Sequence, residues 1–433
     1  MVQELTVSRP ACSPVALLPP ELVAEIFLLC IPLYPNCPPL FGIHSPLKLT
    51  QICKLWREIA HTTPRLWTSI ALLNPDFDRY PLDRQLTTAR SWLNRTRRLP
   101  LSVVFDNAWD LSAEERQRAL AVLLEHRAKW EHAVLRVEDT ATLETIAIAD
   151  APLLQELEVH AKPDADAQIR WPFLPPHSAA TAPKLRSLLL HNVDVPFEPT
   201  VGWDWSRLTR VHLPNTSVAV IASLLRQAPN IVDCHVVVAR DDLPESGRLD
   251  VNLEPLVLPH LETFIIRLHD DLDVVPMGCC SGLGKLFRAI RAPALKRLYV
   301  EQDLVHYHDE APRAPPQEPS RYDPRNEPLP KVVASMGCEK SLQCLYVAYT
   351  SVPLDVYLSA PALKNVRHIS ATQSPGVALL TAKGGSLAGH DDYGWPKFAL
   401  GYENASQEEG GRGWRGGVDG STVGKYEPVA ENL

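Results

Sequence analysis

Apolar residues recur along this chain at two different spacings. From Pro20, the side chains Leu22, Val23, Ile26, Phe27 and Leu29 fall three and four residues apart, and a proline in the opening turn suits a helix start. A helix is therefore predicted from Pro20 to about Cys30, ahead of Pro32. After a proline-rich loop between Ile31 and Pro46, the residues Leu47, Leu49, Ile52, Cys53, Trp56 and Ile59 predict a second amphipathic helix closing near Ala60. Pro64, Leu66 and Trp67 mark a short third turn. Leu82, Leu86, Ala89, Trp92 and Leu93 form a further helical stripe that stops before Pro100, and Leu101, Val103 and Phe105 then alternate as a strand. The cycle repeats. Ser112 and Glu115 have capping-box spacing, the apolar face runs Ala119, Leu120, Leu123, Leu124, and a strand is expected from Val134 to Val137.

Beyond Asp150 one pattern takes over: apolar, two variable, apolar, one variable, apolar. It occurs at Leu154/Leu157/Val159, Leu185/Leu188/Leu190, Leu208/Val211/Leu213, Ile231/Cys234/Val236, Leu261/Phe264/Ile266, Leu295/Leu298/Val300 and Leu342/Leu345/Val347, with a degraded eighth copy at Leu363 and Val366. In six of the eight a proline (Pro152, Pro183, Pro229, Pro259, Pro293, Pro361) stands two positions before the first apolar residue, where 40 prolines in 433 residues would place fewer than one by chance. First positions are separated by 31, 23, 23, 30, 34, 47 and 21 residues, irregular but centred near the roughly 20 to 29 of leucine-rich repeats. The last two apolar residues of each copy share one parity. They therefore face one side of a strand, and stacked copies would bury a core that no single copy closes. Helical stretches between copies, such as Val218 to Leu225 and Leu283 to Ile290, would cover the outside. The predicted fold class is α/β: a helical module followed by an irregular, leucine-rich-repeat-like α/β solenoid.

Two stretches break the rhythm, Lys162 to Pro183 and the proline-rich segment 309–331, and both read as loops. Thirteen of the twenty glycines lie after Ser370, where the apolar periodicity also fades, so 371–433 reads as a disordered tail. The expected organisation is a flexible N-terminus 1–14, a helical module 15–70, a repeat region 71–370 and that tail.

Composition narrows the function. A net charge of -8 gives no overall basic field to attract nucleic acid or an anionic membrane. Met1 to Ser13 lack a signal-peptide pattern, and no run of about 18 apolar residues occurs, so the cytosol or nucleus is the expected compartment. The nine cysteines show no paired C-x-x-C, which fits reduced thiols rather than a disulfide framework or zinc module.

Catalytic signatures fail on spacing. Gly278, Gly282, Gly284 and Lys285 suggest a phosphate loop, but counted from Gly278 the second glycine falls on Leu283, and Leu286 follows Lys285 where Ser or Thr is required. His306, His308, Asp309 and Glu310 offer metal-ligand atoms, yet strand alternation aligns them only in pairs, and a solvated loop edge accounts for them. No G-x-S-x-G elbow and no nucleophilic cysteine signature is present. The expectation is a binding protein rather than an enzyme, with no catalytic, cofactor-binding or metal-ligating residues.

At 17–70 the chain resembles an F-box, in the form abundant in mushroom-forming fungi. The matching residues are Leu18, Pro19, Glu21, Leu22, Ile26 and Phe27, then Pro46, Leu47, Leu49, Ile52, Cys53, Trp56, Arg57, Ile59 and Ala60, then Thr63, Pro64, Leu66 and Trp67. The Trp92-Leu93 helix running into Leu99, Pro100 and Leu101 resembles the segment that follows the box in such proteins. The insert from Pro32 to Ser45 departs from the compact form by lengthening the first interhelical connection. The resemblance implies docking on a small Skp-type adaptor, and through it a cullin and a RING subunit, with Leu18, Pro19, Leu22, Ile26, Leu49, Ile52 and Trp56 as adaptor contacts. It implies a substrate adaptor of an SCF-type ubiquitin ligase that binds an unknown target protein through the solenoid. The alternative is a leucine-rich-repeat scaffold acting independently of ubiquitin ligation.

Overall fold

The computed structural model describes residues 18–32, 34, 36–72, 80–105, 112–137, 151–161, 184–191, 205–216, 218–238, 255–268, 286–301, 328–348, 354–371 and 380–383. The expected N-terminal arm, the loop from Lys162 to Pro183, most of 309–331 and the tail beyond Lys383 lie outside them. So do the glycine cluster at 278–284 and the His306 to Glu310 group.

The chain opens with helix α1 (Pro20–Leu29), α2 (Pro46–Ile52), α3 (Lys54–Thr62) and a 3-10 turn at Pro64–Trp67. The single second helix expected from periodicity is two. Cys53 adopts an extended conformation, φ -154° and ψ 173°, and its Sγ accepts from the Trp56 N–H at 3.4 Å as the cap of α3. The Arg57 guanidinium donates to the Thr50 carbonyl at 2.8 Å, so a carbonyl at the end of α2 keeps a partner across the break.

The remaining elements build a mixed α/β structure around one large sheet. Its strands are β1 (Ser69–Leu72), β2 (Leu101–Phe105), β3 (Trp130–Val137), β4 (Glu156–Ala161), β5 (Ser187–His191), β6 (Arg210–Thr216), β7 (Asp233–Val238), β9 (Thr263–Leu268), β11 (Arg297–Glu301), β12 (Cys344–Ala348), β13 (His368–Ala371) and β14 (Leu380–Lys383). They lie side by side in chain order, and every pairing is parallel except the last. Two-residue strands β8 (Leu256–Val257) and β10 (Ile290–Arg291) pair apart from this sheet. Helices α4 (Leu82–Arg95), α5 (Ala113–Leu124), α6 (Val218–Gln227), α7 (Pro328–Met336) and α8 (Leu354–Ser359) fall between strands. Ser112 caps α5 in a reciprocal capping box with Glu115, as the spacing predicts.

Register explains the core. Ile70, Val103, Ala133, Leu157, Leu188, Val211, Cys234, Phe264, Leu298, Leu345 and Ile369 stand opposite one another across eleven successive strands, and all are buried. A second row, from Leu72 and Phe105 through Leu135 to Val159 and Leu190, repeats two residues on, because side chains alternate along a strand. Each large apolar side chain so buried stabilises the fold by roughly 1.5–3 kcal/mol before conformational entropy is counted. The seven patterned copies from Leu154 to Val347 thus supply β4, β5, β6, β7, β9, β11 and β12. Ile221, Leu224 and Leu225 of α6 and Phe287 of the helical stretch 286–289 close the same core from outside.

Three further expectations change. The eighth copy is read three residues too early: Ile369 pairs with Leu345, so its frame is Val366/Ile369/Ala371, and Pro361 opens a 3-10 turn instead of preceding the strand by the usual interval. The loop 309–331 ends early, since Pro328 and Pro330 lie in the first turn of α7, where a missing N–H costs nothing, and Leu329 is buried. The tail reading also gives way at Leu380–Lys383, which pairs antiparallel with β13 and covers that edge of the sheet.

The helical module and the sheet share one core. The Pro38 carbonyl accepts from the Ala71 N–H at 2.9 Å, so the Pro32 to Ser45 insert runs along the free edge of β1. The Trp67 indole donates to the Ala60 carbonyl at 2.9 Å, tying β1's approach to α3.

Candidate functional site

Helix α1 is apolar on two stripes, and only one is covered. Val23 and Phe27, four apart, are each 1% exposed, with the Phe27 ring 4.8 Å from that of Trp56 between centroids. Leu22, Ile26 and Leu29 occupy the other stripe and are 53%, 43% and 88% exposed. Leu18 and Pro19 extend that stripe toward the N-terminus, both exposed. Ile52 and Leu55, on either side of the Cys53 break, are also exposed, as is Ile43 in the insert. Seven of the nine exposed large apolar side chains among the described residues thus lie between Leu18 and Leu55. Single exposed leucines are ordinary on a protein surface, but such a concentration marks an interaction site.

Of the seven residues expected to contact a partner, Leu18, Pro19, Leu22, Ile26 and Ile52 are exposed and Trp56 is half-buried against Phe27. Leu49 differs: it is 8% exposed and belongs to the core, so it supports the module from within. Glu25 and Arg65, both exposed, form an ion pair at 2.9 Å that links α1 to the 3-10 turn.

The second face of the large sheet carries polar side chains, one strand position out of phase with the core rows. Tyr34 of the insert stacks on His132 at 4.2 Å, and the His132 Nδ1 lies 3.1 Å from the Ser102 hydroxyl. Glu156 pairs with Arg210 at 3.4 Å. Further along, histidines stand on four consecutive strands. The rings of His160 and His191 are stacked 4.1 Å apart, His212 meets His191 edge-on at 4.3 Å, and His212 and His235 stack at 3.9 Å. Tyr299 and Tyr346 continue the row of His212 and His235, stacked at 4.6 Å.

Burial sets the charge state of His191, His212 and His235. It holds the imidazoles of His191 and His212 well below the usual histidine range, reinforced by the neighbouring histidines and by Arg136 and Arg267 respectively. Burial and the Arg267 charge lower His235 to about 3. These rings are neutral at pH 7, able to accept at one nitrogen and donate at the other. Burial also pushes the thiols of Cys37, Cys234 and Cys338 up to about 12, the opposite of an activated nucleophile.

Sequence reading names no metal ligands, yet Glu158, His160 and His191 bring their ligand atoms within 4.8 Å of one another. The signal was present in the repeat frame. Glu158 and His160 follow Leu154 by four and six residues, and His191 follows Leu185 by six, so all three face away from the core rows.

No protein-family model matches the chain, and no curated protein matches it. No helix among the described residues is long and apolar enough to cross a membrane.

Proposed function

We propose that the chain is an F-box protein, the substrate-recruiting subunit of an SCF-type ubiquitin ligase. The module 18–67 docks on a Skp-type adaptor, and the strand array from β1 onward is a leucine-rich-repeat-like solenoid that holds a target protein. The ligase chemistry resides on other chains, and the complex works in the cytosol or nucleus. Holding a target near the conjugating machinery raises its effective concentration there, which needs affinity but no catalysis from this subunit. The observation that carries the reading is the uncovered apolar stripe of α1, Leu18, Leu22, Ile26 and Leu29, next to a closed core. The F-box residues quoted from the sequence supply the partner's identity, and the in-order parallel strands support the solenoid.

Co-expression with the Skp-type adaptor of the same source tests it. Wild type is expected to co-purify stoichiometrically, and a Leu18→Ala, Pro19→Ala, Leu22→Ala variant to fold but fail to be captured. Folded wild type that captures no adaptor would overturn the ligase reading and leave a ligase-independent scaffold.

A further inference from the structure

We infer that Glu158, His160 and His191 form a binding site for a divalent transition-metal ion, of the zinc type, on the second face of the sheet. The inference stands apart from adaptor docking, which involves other residues.

The site follows from strand geometry. Glu158 and His160 are two apart on β4 and project to one face, and His191 of β5 is in register with His160. Neighbouring strands lie about 4.8 Å apart, so three long side chains from these positions converge above the sheet. The Glu158 carboxylate is hydrogen-bonded to the His160 Nε2 and lies 3.8 Å from the His191 Nε2.

Charge balance favours a cation there. The Glu158 side chain is only 12% exposed, and the groups against its Oε1 are the imidazoles of His160 and His191. A carboxylate taken out of water requires compensating charge. A divalent ion supplies it, and neutral imidazole is the form that ligates.

The donor set selects the metal. Two imidazoles and one carboxylate suit zinc and its first-row neighbours, whereas calcium and magnesium require oxygen ligands throughout. Three protein ligands leave an open position on the face that also carries His212 and His235.

Ring orientation specifies what binding must change. The His160 and His191 rings are nearly parallel, 3° between planes, so their lone pairs run side by side. Ligation therefore turns one ring about its Cβ–Cγ bond and breaks the stack. Both side chains retain about a third of their surface exposed, 28% and 32%, which leaves room for that rotation. His212, edge-on to His191, limits how far its ring turns.

The test uses the full chain without an affinity tag, stripped with chelator and dialysed. Zinc binding is measured by equilibrium dialysis with elemental analysis, and cobalt(II) is added separately to read coordination from visible absorption. Wild type is expected to bind one equivalent of zinc and to give a cobalt spectrum of low coordination number. Glu158→Gln and His191→Ala are each expected to weaken binding about 100-fold or more, since even outer-shell changes cost 10–100-fold. His126→Ala, on a different element, should leave it unchanged. Circular dichroism establishes that each variant is folded, and the near-isosteric Glu158→Gln guards against loss through misfolding. Wild type that binds no zinc, or zinc retained equally by folded Glu158→Gln and His191→Ala, overturns the site.

Discussion

The indole N–H of Trp92 donates to the main-chain carbonyl of Trp67 at 3.0 Å, and the two rings meet edge to face with centroids 5.3 Å apart. This contact joins α4, which packs on the sheet, to the turn that ends the helical module. Both rings are fully buried. Trp92→Ala should therefore cost about 3–5 kcal/mol, the range for removing a large aromatic from a core. Trp92→Phe keeps much of the volume but loses the donor and should cost less, roughly 1–3 kcal/mol. Urea unfolding measures both; equal losses would mean that the donor, missing from both variants, accounts for the whole cost and the ring's packing for none of it.

The two stripes of α1 make opposite predictions for stability. Phe27 is 1% exposed, and Phe27→Ala should destabilise the chain by about 3–5 kcal/mol. Leu22 is 53% exposed, and Leu22→Ser should change stability by no more than about 0.5 kcal/mol, as surface substitutions do. If Leu22→Ser proved as damaging as Phe27→Ala in thermal melts, the stripe would be part of the core of the free protein. The proposed docking face would then be lost.

Much of this division lies beyond sequence reading. Periodicity marks Leu22, Val23, Ile26 and Phe27 alike as apolar, and which stripe faces inward depends on α3 and Trp56 packing against it. Leu49, which the resemblance implies as an adaptor contact, is likewise turned into the core by packing that no local pattern shows. The strands of the large sheet were more legible, because a period of two with a preceding proline survives irregular spacing between copies. β1 is not legible in the sequence, since its four residues close after Trp67 carry too short an alternation. The split at Cys53 is hidden because apolar spacing continues through the break, while the break itself is fixed by a cap and by Arg57. The Glu158, His160 and His191 group is invisible locally: two of its members lie 31 residues apart and meet only through the pairing of β4 with β5.

Acid should destabilise the fold through His235. Its ring stacks on His212 of β6, and Arg267 of β9 contributes positive charge nearby. The folded pKa is about 3 against an ordinary value of 6.5. Between those values the unfolded chain binds a proton that the folded chain does not. The contribution is thus complete above pH 6.5 and is lost progressively as pH falls toward 3. At pH 5.5 the loss should be on the order of 1 kcal/mol from this group. In chelator-treated protein, denaturant titrations at pH 7.5 and 5.5 should show His235→Asn losing less stability between the two than wild type does. An equal loss would mean that His235 protonates in the folded chain near its ordinary pKa.

The start of α5 offers a test confined to one residue. The Ser112 side chain accepts from the Glu115 N–H at 3.3 Å, while the Glu115 carboxylate accepts from the Ser112 N–H at 3.0 Å and from its hydroxyl at 2.9 Å. Those donors hold the Glu115 carboxyl below the usual glutamate range. Ser112→Ala removes the side-chain acceptor and should cost about 1 kcal/mol, whereas Ser112→Gly should cost only a few tenths, because glycine suits the non-helical cap conformation. Glu115→Gln keeps the return hydrogen bond and loses only the charge at the helix N-terminus, a small stabilisation that salt screens. Its cost should therefore shrink when sodium chloride is added, while that of Ser112→Ala should not. Chemical denaturation of the three variants at two salt concentrations measures this order. If Ser112→Gly were as destabilising as Ser112→Ala, the hydroxyl lost from both would account for the whole cost, and glycine's backbone freedom would bring no relief at this cap.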